Sequence, residues 1–313
     1  MRPNEFHSPS LNVRGRLNEN APLGQVGWFR AGGAADLLFR PADRDDLQDF
    51  LVQEAVAPVT VLGVLSNTII RDGGVEGITM RLGREFADMT QIEENLVRVG
   101  SAALDVNAAE FAATAGIAGL EFLCGIPGSI GGALMMNAGA YGREIKDVLV
   151  EATFMDRSGN LHTVTPDQLH MSYRHADIPQ GWIALEALLR GERGNTADIT
   201  AHMTDIRTRR AATQPIRSQT GGSTFANPLP QELEATGLPE TTKAWQLVDR
   251  VGGRGLIIGG AQMSEMHANF MINTGGAKAA DLENLGEEIR RRVLDQTGIT
   301  LRWEIRRIGR SAS

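Results

Sequence analysis

The spacing of apolar and polar positions predicts a series of short strands separated by helices. Apolar runs of roughly four to eight residues, continuous or alternating, favour strands. Such runs occur at residues 36–40, 58–63, 68–70, 77–82, 86–92, 96–99, 148–155, 161–164 and 183–189. The β-branched content of residues 58–63 predicts a buried strand. Residues 1–20 have no such pattern, and we expect a loose or weakly helical lead there.

Helical spacing appears at several places along the chain. Leu47, Phe50 and Leu51 share one face of a predicted helix that follows Pro41 and an acidic turn. Further helices are predicted at residues 106–114, 196–212, 243–251 and 277–296, the last with Gly298 as its C-cap. Strands near 256–261, 269–273 and 299–306 complete the C-terminal part.

These elements predict an α+β protein with two domains. Strands and helices mix without the regular βαβ alternation of a Rossmann sheet. A chain of 313 residues is also too long for one small core. We divide it into a lead at 1–20, a first domain at 21–195, a linker helix at 196–215 and a smaller C-terminal domain at 216–313.

The segment at residues 125–142 is the strongest candidate for ligand binding. It has six glycines in 18 residues and no charged side chain. Glycine lacks the Cβ that blocks close approach, and bare backbone N–H groups beside helix starts favour phosphate oxygens. This predicts a dinucleotide-sized, phosphate-bearing ligand. Tight helix packing without any ligand is the alternative, and glycine enrichment alone does not exclude it.

Composition and charge exclude several function classes. A net charge of −7 argues against general nucleic-acid binding, which needs a basic face. The single cysteine, Cys124, excludes a disulfide framework, and we interpret it as a small buried apolar residue. No apolar run reaches the length of a membrane span, and residues 1–10 lack the apolar core of a signal peptide. We therefore expect a cytoplasmic protein with no membrane insertion.

The common nucleotide and catalytic motifs are missing. No G-x-G-x-x-G follows a predicted strand, and no G-x-x-x-x-G-K-[ST] occurs. Pro127 stands where a nucleophile elbow needs its first glycine. The six histidines show no metal-ligand spacing, so we expect no metal. A dinucleotide would be held by neither common motif, which suggests a flavin fold other than the Rossmann type.

Five blocks along the chain carry a resemblance to a known family. They are FRAGGAAD (29–36), LGVLSN (62–67) with DGG (72–74), IPGSIGG (126–132) with NAGAYG (137–142), GSTFANP (222–228), and SEMHANF (264–270) with WEIR (303–306). Together they resemble the UDP-N-acetylenolpyruvoylglucosamine reductases, bacterial flavoenzymes of peptidoglycan precursor synthesis. The resemblance implies a vanillyl-alcohol-oxidase (PCMH) type FAD-binding domain, followed by a smaller α+β substrate-binding domain.

The resemblance also implies an activity. In this family NADPH delivers a hydride to FAD, and the reduced flavin passes it to the enolpyruvyl ether of UDP-N-acetylglucosamine enolpyruvate. The product is UDP-N-acetylmuramate, and the enzyme is implied to be a monomer. Two alternatives stay open on the residues: an FAD-dependent oxidase or dehydrogenase of the same fold, and a nucleotide-sugar-binding protein without flavin chemistry.

Three residues match the catalytic positions of the family. Ser223 matches the proton donor, Arg174 the arginine that meets the substrate carboxylate, and Glu304 the glutamate beside the substrate. A guanidinium fork suits a carboxylate, and a buried protonated carboxyl would donate a hydrogen bond to an enolate-like intermediate. Taken alone, the same residues also fit a turn serine, a surface arginine and a solvated edge-strand carboxylate.

The resemblance assigns FAD contacts to two segments. They comprise Gly63, Ser66 and Asn67 in the first segment, and Gly125, Ile126, Pro127, Gly128, Gly131, Gly132, Asn137, Ala138 and Gly139 in the second. No histidine lies in residues 59–74, so the FAD is expected to be non-covalent. Tyr141, Tyr173 and Asn227 are candidates for substrate contact, and Lys243 is either a diphosphate contact or a solvated helix residue.

The chain also departs from the family pattern. Val64 and Leu65 stand where the family has glycine in its first FAD turn, and Ala226 replaces the usual lysine. Arg174 and Ser223 are 49 positions apart with no tyrosine between them. The chain therefore resembles the form of the family that lacks a tyrosine-bearing loop over the substrate.

Overall fold

The computed structural model describes residues 11–53 and 59–312. Its helices are α1 (Leu23–Val26), α2 (Arg44–Gln53), α3 (Asp105–Thr114), α4 (Ile130–Met135), α5 (Thr196–Thr213), α6 (Pro230–Ala235), α7 (Ala244–Arg250) and α8 (Ala279–Thr297). Its strands in the first half are β1 (Arg16–Ala21), β2 (Ala35–Arg40), β3 (Val59–Val61), β4 (Thr68–Ile70), β5 (Val75–Met80), β6 (Met89–Glu93), β7 (Leu96–Gly100), β8 (Ile117–Ala118), β9 (Gly139–Ala140) and β10 (Arg143–Glu144). The later strands are β11 (Leu149–Met155), β12 (Leu161–Val164), β13 (Ile183–Arg190), β14 (Glu192–Arg193), β15 (Gln219–Ser223), β16 (Ile257–Ile258), β17 (Ala261–Met263), β18 (Phe270–Asn273) and β19 (Arg306–Ile308).

The described chain forms two compact units that interleave in sequence. The first unit contains residues 11–21, 35–64 and 76–209 apart from the gap at 54–58, and the second contains 22–34, 65–75 and 210–312. This differs from the linear division at 195 and 216, because two segments from the N-terminal half belong to the second unit. Phe29 and Ile69 supply the reason, since both are buried in the apolar core of that unit.

The first unit holds two larger sheets. One has the order β1-β2-β5-β3, with β3 and β5 parallel. The other is antiparallel, with the order β12-β11-β13-β7-β6. Helix α5 also belongs to this unit up to residue 209, and it buries Ile199, Met203 and Ile206 in the core. The prediction of a linker helix at 196–215 is therefore replaced by a helix packed on the first unit.

The second unit is an antiparallel sheet covered by a helix. The sheet has the order β15-β18-β17-β16. Helix α8 buries Leu282, Leu285 and Ile289 in the same core and ends at Gly298, which has a φ of +74° as a C-cap glycine requires. Strand β19 pairs in parallel with β4, and this pairing brings residues 68–70 into the unit.

Most predicted elements are confirmed, and the exceptions have local reasons. Residues 16–21 form an antiparallel strand with β2, whereas we predicted a loose lead, and residues 1–10 lie outside the described chain. The predicted buried strand at 58–63 is shorter and half-exposed, with Val61 38% exposed, because β3 is an edge strand. Residues 299–306 are largely irregular, and their strand begins only at Arg306, where pairing with β4 starts.

Candidate active site

Ser223 ends strand β15 at a β-bulge in the second unit. Thr220 pairs with Ile272 and Ser223 with Phe270, so the β15 strand has one extra residue between these pairs. Gly222 has a φ of +79°, which glycine adopts readily. A Cβ at Gly221 would lie 2.3 Å from the Phe29 ring. Both glycines are therefore required locally, and the bulge turns the half-buried Ser223 out of the regular alternation.

The backbone of Glu304 is fixed beside the residue that follows Ser223. Its N–H donates to the carbonyl oxygen of Thr224 at 2.8 Å. Its own carbonyl oxygen accepts from the Asn67 side-chain amide at 3.0 Å. The carbonyl of Asn67 in turn accepts from the Arg306 N–H at 3.0 Å. The second unit thus brings Ser223, Asn67 and Glu304 together through backbone contacts, and the Glu304 side chain is half-buried.

Asn227 supports the structure around this segment. Its side-chain oxygen accepts from the Ala244 N–H at 3.0 Å, at the first residue of α7. Its carbonyl oxygen accepts from the guanidinium of Arg302 at 3.0 Å. The side-chain oxygen that we considered for substrate contact therefore already serves the start of α7. Lys243, the preceding residue, is exposed.

Arg174 lies at the tip of a tight two-residue turn in the first unit. Ser172 and His175 exchange backbone hydrogen bonds of 3.0 Å across the turn. Arg174 has a φ of +56°, an uncommon conformation for a residue other than glycine. Its guanidinium donates to the Gly139 carbonyl oxygen at 3.0 Å and lies 5.2 Å from the centre of the Tyr173 ring. These contacts orient the half-buried guanidinium and join it to the glycine segment.

The buried side chain of Asn137 also fixes the turn that carries Arg174. It is fully buried with a φ of +43°. Its amide donates to Glu144 Oε2 at 3.0 Å and to the Ser172 carbonyl oxygen at 2.9 Å, and its oxygen accepts from the Lys146 N–H at 2.9 Å. The side-chain groups of Asn137 are therefore used within the protein, where they hold the turn that carries Arg174.

Protein packing accounts for much of the glycine pattern at 125–142. A Cβ at Gly125 would lie 2.4 Å from the Tyr141 ring, which is 42% exposed and whose hydroxyl donates to the Ile206 carbonyl oxygen at 3.3 Å. A Cβ at Gly139 would lie 2.7 Å from the Arg143 carbonyl oxygen. Protein groups fill the space beside these two glycines, whereas a Cβ at Gly132 would have no neighbour among the described residues closer than 3.8 Å.

Buried polar atoms without a hydrogen-bond partner among the described residues lie next to the segment at residues 125–142. The carboxyl of Asp105, the first residue of α3, is fully buried, and neither oxygen has a hydrogen-bond partner in the described structure. Burial raises the pKa of this carboxyl well above its usual value. A Cβ at Gly128 would lie 2.6 Å from Asp105 Oδ2. The buried Ser101 hydroxyl likewise has no partner there, and a Cβ at Gly131 would lie 3.1 Å from Ser101 Cβ.

The first predicted FAD turn contributes exposed backbone. Gly63 is exposed, and a Cβ there would lie 3.0 Å from the Ser129 hydroxyl of the second segment. Leu65 stands where the family pattern has glycine. It is buried with a φ of +58°, so its side chain points into the protein. Exposed backbone at Gly63 and Gly132 fits a bound dinucleotide. Ile126, Pro127 and Ser66 are half-buried, and Ala138 is buried.

Two residues of this region were missed by sequence reasoning. In the sequence, Asp105 is an acidic residue directly before the predicted alanine-rich helix at 106–114. Nothing in that pattern indicates that its carboxyl is buried. Asn269 lies within a matched block, but its side chain was given no role. Cys124, by contrast, is buried as predicted.

Two family models match the chain in succession. The FAD binding domain matches residues 35–165, and the UDP-N-acetylenolpyruvoylglucosamine reductase C-terminal domain matches residues 214–308. The FAD-binding domain with a following C-terminal domain is therefore confirmed. No described helix is long and apolar enough to cross a membrane, and the described residues contain no cluster of three or more metal-ligating side chains.

Whole-chain relatives agree with these models. A UDP-N-acetylenolpyruvoylglucosamine reductase from Parvibaculum lavamentivorans is 56% identical over 298 residues, 95% of this chain and 92% of that protein. One from Gluconobacter oxydans is 52% identical over 97% of this chain and 96% of its own length. The crystal structure of the reductase from Thermus caldophilus matches with a TM-score of 0.77 at 30% identity, covering 95% of this chain and 99% of that one.

Proposed function

Because the chain belongs to the family of FAD-dependent UDP-N-acetylenolpyruvoylglucosamine reductases, we propose that it uses NADPH to reduce UDP-N-acetylglucosamine enolpyruvate to UDP-N-acetylmuramate. The observation that carries this proposal is the frame around Ser223, in which a bulge sets its backbone and a backbone hydrogen bond fixes Glu304 beside the following residue, Thr224. The oxidase alternative is not favoured, because the reductase C-terminal domain model spans both residues. The binding-protein alternative gives no reason for keeping this frame.

Bound FAD would supply hydride transfer from NADPH to the vinyl group of the substrate. The chain's own residues then have to stabilise the developing negative charge and supply a proton to the adjacent carbon. We assign the proton to the Ser223 hydroxyl. Serine is a weak acid, so its contribution depends on a strongly basic carbon and on a fixed direction of the O–H group. The bulge at Gly221 and Gly222 sets the backbone from which this hydroxyl extends.

We assign the substrate carboxylate to Arg174. Charge-assisted hydrogen bonds from a guanidinium strengthen as the carboxylate gains electron density in the transition state. The contact with the Gly139 carbonyl oxygen and the face of Tyr173 support a single orientation of the guanidinium. Tyr173 and Tyr141 remain candidates for substrate contact.

Glu304 is assigned to the same intermediate. A protonated carboxyl would donate a hydrogen bond to the enolate-like oxygen, and the backbone bonds to Thr224 and Asn67 would hold it in place. Asn227 is assigned a supporting role through α7 in addition to any substrate contact.

For the cofactor, we propose non-covalent FAD held by Gly63, Ser66 and Asn67 and by the segment from Gly125 to Gly139. Within that segment Asn137 would act through the backbone that it fixes, since its side chain is already engaged. The proposal includes the monomeric state, the cytoplasmic location and the role in peptidoglycan synthesis, cell division and cell shape that accompany this reaction in the family.

The test is an anaerobic absorption titration of the purified protein. The proposal predicts flavin bands that bleach on addition of NADPH and return on addition of the enolpyruvyl nucleotide sugar. Bands that return with oxygen or another acceptor, but not with that substrate, would support the oxidase instead. A protein that cannot be reconstituted with FAD would support the binding-protein alternative.

A further inference from the structure

Asn269 holds the backbone directly after Ser223. It precedes strand β18 and is only 4% exposed. Its side-chain oxygen accepts from the Phe225 N–H at 3.0 Å, and its side-chain amide donates to the Phe225 carbonyl oxygen at 2.8 Å. Its backbone carbonyl accepts from the Thr224 N–H at 2.7 Å. One residue thus makes three hydrogen bonds to the two residues that follow Ser223.

This clamp continues the sheet where strand pairing ends. Ser223 and Phe270 form the last pair between β15 and β18. Beyond that pair, the amide of Asn269 presents one acceptor and one donor to Phe225, as a neighbouring strand would. Only asparagine offers both groups on so short a side chain. The clamp therefore prevents the strand from moving at the point where the bulge directs Ser223.

The clamped segment also contacts residues 302–304, which include Glu304. Thr224 accepts from the Glu304 N–H at 2.8 Å, Phe225 forms an isolated bridge with Trp303, and the Ala226 N–H donates to the Arg302 carbonyl oxygen at 2.9 Å. Residues 224–226 thus lie between Asn269 on one side and residues 302–304 on the other. A shift of this segment would change the position of Ser223 relative to Glu304.

We propose that Asn269 is a positioning residue for proton transfer, which fixes the Ser223 hydroxyl relative to Glu304 through the backbone of Thr224 and Phe225. The inference rests on the proposed function, since it assigns Asn269 to the proton-transfer step of that reaction. Misplacement of a reacting group by about 1 Å can cost about 100-fold in rate. Asn269 touches neither the substrate nor the flavin in this account.

The chain supplies a matched control four residues away. Asn273, in the same strand β18, is 7% exposed and also clamps backbone with both ends of its amide. It donates to the Phe29 carbonyl oxygen at 2.8 Å and accepts from the N–H groups of Gly275 at 2.8 Å and Ala277 at 3.0 Å. Its alanine variant removes a comparable clamp from the same unit but no hydrogen bond to Thr224 or Phe225.

The experiment compares Asn269→Ala with Asn273→Ala in the holoenzyme by stopped flow. For Asn269→Ala we expect flavin reduction by NADPH at the parent rate, and reoxidation by the enolpyruvyl substrate slowed about 100-fold at saturating substrate. For Asn273→Ala, at a similar loss in melting temperature, we expect reoxidation within about twofold of the parent. Equal slowing in both variants, or unchanged reoxidation in Asn269→Ala, would overturn the inference.

A double variant separates positioning from general damage. If Asn269 acts through Ser223, then Asn269→Ala should slow reoxidation by no more than about twofold in a Ser223→Ala background, because the group it positions is gone. If Asn269→Ala slows reoxidation by about 100-fold in the Ser223→Ala background as well, the inference is overturned. If Asn269→Ala does not fold, Asn269→Asp takes its place, with about tenfold slowing expected because its carboxyl keeps an acceptor for the Phe225 N–H and loses the donor to the Phe225 carbonyl oxygen. Should the parent enzyme itself fail to be reoxidised by this substrate, the proposed function fails and not the positioning argument.

Discussion

The N–H of Glu304 donates a 2.8 Å hydrogen bond to the carbonyl oxygen of Thr224, the residue that follows Ser223. This single bond joins two segments that are far apart in sequence and places the backbone of the proposed carboxyl residue beside the residue that follows the proposed proton donor. Because it uses only backbone atoms, the side chain at position 304 can be changed without breaking it. Variants at position 304 therefore test the carboxyl while this backbone bond is kept.

For Glu304, we predict that Glu304→Gln retains more activity than Glu304→Ala. The amide still donates a hydrogen bond to the intermediate, whereas alanine donates none and should slow reoxidation of the flavin by about 100- to 1,000-fold. The backbone hydrogen bonds that Glu304 makes with Thr224 and Asn67 are available in both variants. Single-turnover reoxidation measures this. A glutamine variant as slow as alanine would show that a dissociable proton, and not a hydrogen bond, is required.

The bulge before Ser223 predicts a specific effect of Gly222→Ala. The φ of +79° at this residue costs a side chain roughly 1–2 kcal/mol, even though the surrounding space is open. Gly252→Ala is the control, because that residue has a φ of +69° and equally open space away from the bulge. Both should lower the free energy of unfolding similarly in urea melts. Only Gly222→Ala should slow flavin reoxidation, and equal rates in the two variants would contradict the role of the bulge.

The unpaired carboxyl of Asp105 predicts a pH-dependent stability in the apoprotein. In the unfolded chain it titrates near pH 4, about its usual value. Burial raises its pKa in the folded state, so above about pH 4 the folded state binds more protons, and the free energy of unfolding falls as pH rises. Asp105→Asn removes this loss. Its melting temperature relative to the parent should therefore increase between about pH 4 and pH 8.

A difference in melting temperature between Asp105→Asn and the parent that stays constant from about pH 4 to pH 8 would contradict this account. It would show that folding does not raise the pKa of the Asp105 carboxyl. Other carboxylates act in the opposite direction, since Arg291 and Arg292 lower the pKa of Glu288 to about 2. Their stabilisation is lost on acidification in both proteins and cancels in the comparison. FAD must be absent from this measurement, because the carboxyl lies beside the segment proposed to bind it.

For Arg174, we predict that replacement by lysine is not conservative. A lysine cannot bind Gly139 and still present a fork to a carboxylate, and it loses the planar contact with Tyr173. The loss of a charge-assisted hydrogen bond, about 1.5–3 kcal/mol, corresponds to roughly 10- to 150-fold in kcat/KM for the sugar substrate. Flavin reduction by NADPH should be unchanged. Arg193→Lys, in an exposed ion pair with Glu94, should leave both parameters unchanged and serves as the control.

Local sequence patterns predicted those parts of the fold that depend on nearby residues. The hairpin of β11 and β12 and the apolar face of α8 follow from alternation and helical spacing over short windows. The parallel pairing of β4 with β19 does not, because its partners come from opposite ends of the chain. For the same reason the interleaving of the two units was missed, since Phe29 and Ile69 look like ordinary apolar residues of the first domain.

The candidate site shows a similar limit. Motif resemblance indicates Ser223, Arg174 and Glu304 as candidates, and their assignment stays a prediction. The glycines at 125, 128, 131 and 139 were interpreted as clearance for a ligand, whereas the structure shows that protein groups fill the space beside each of them. Whether a glycine faces a ligand or a neighbouring side chain depends on tertiary packing. The clamp by Asn269 is likewise tertiary and leaves no local signal.

The most direct test of the central claim is the rate of flavin reoxidation in Ser223→Ala, measured by stopped flow after anaerobic reduction with NADPH. The account predicts reduction at the parent rate and reoxidation by the enolpyruvyl substrate slowed by about 100- to 10,000-fold, the usual range for loss of a general acid. Ser218→Ala, at an exposed serine nearby, should match the parent in both steps. Undiminished reoxidation in Ser223→Ala would show that the proton comes from another group.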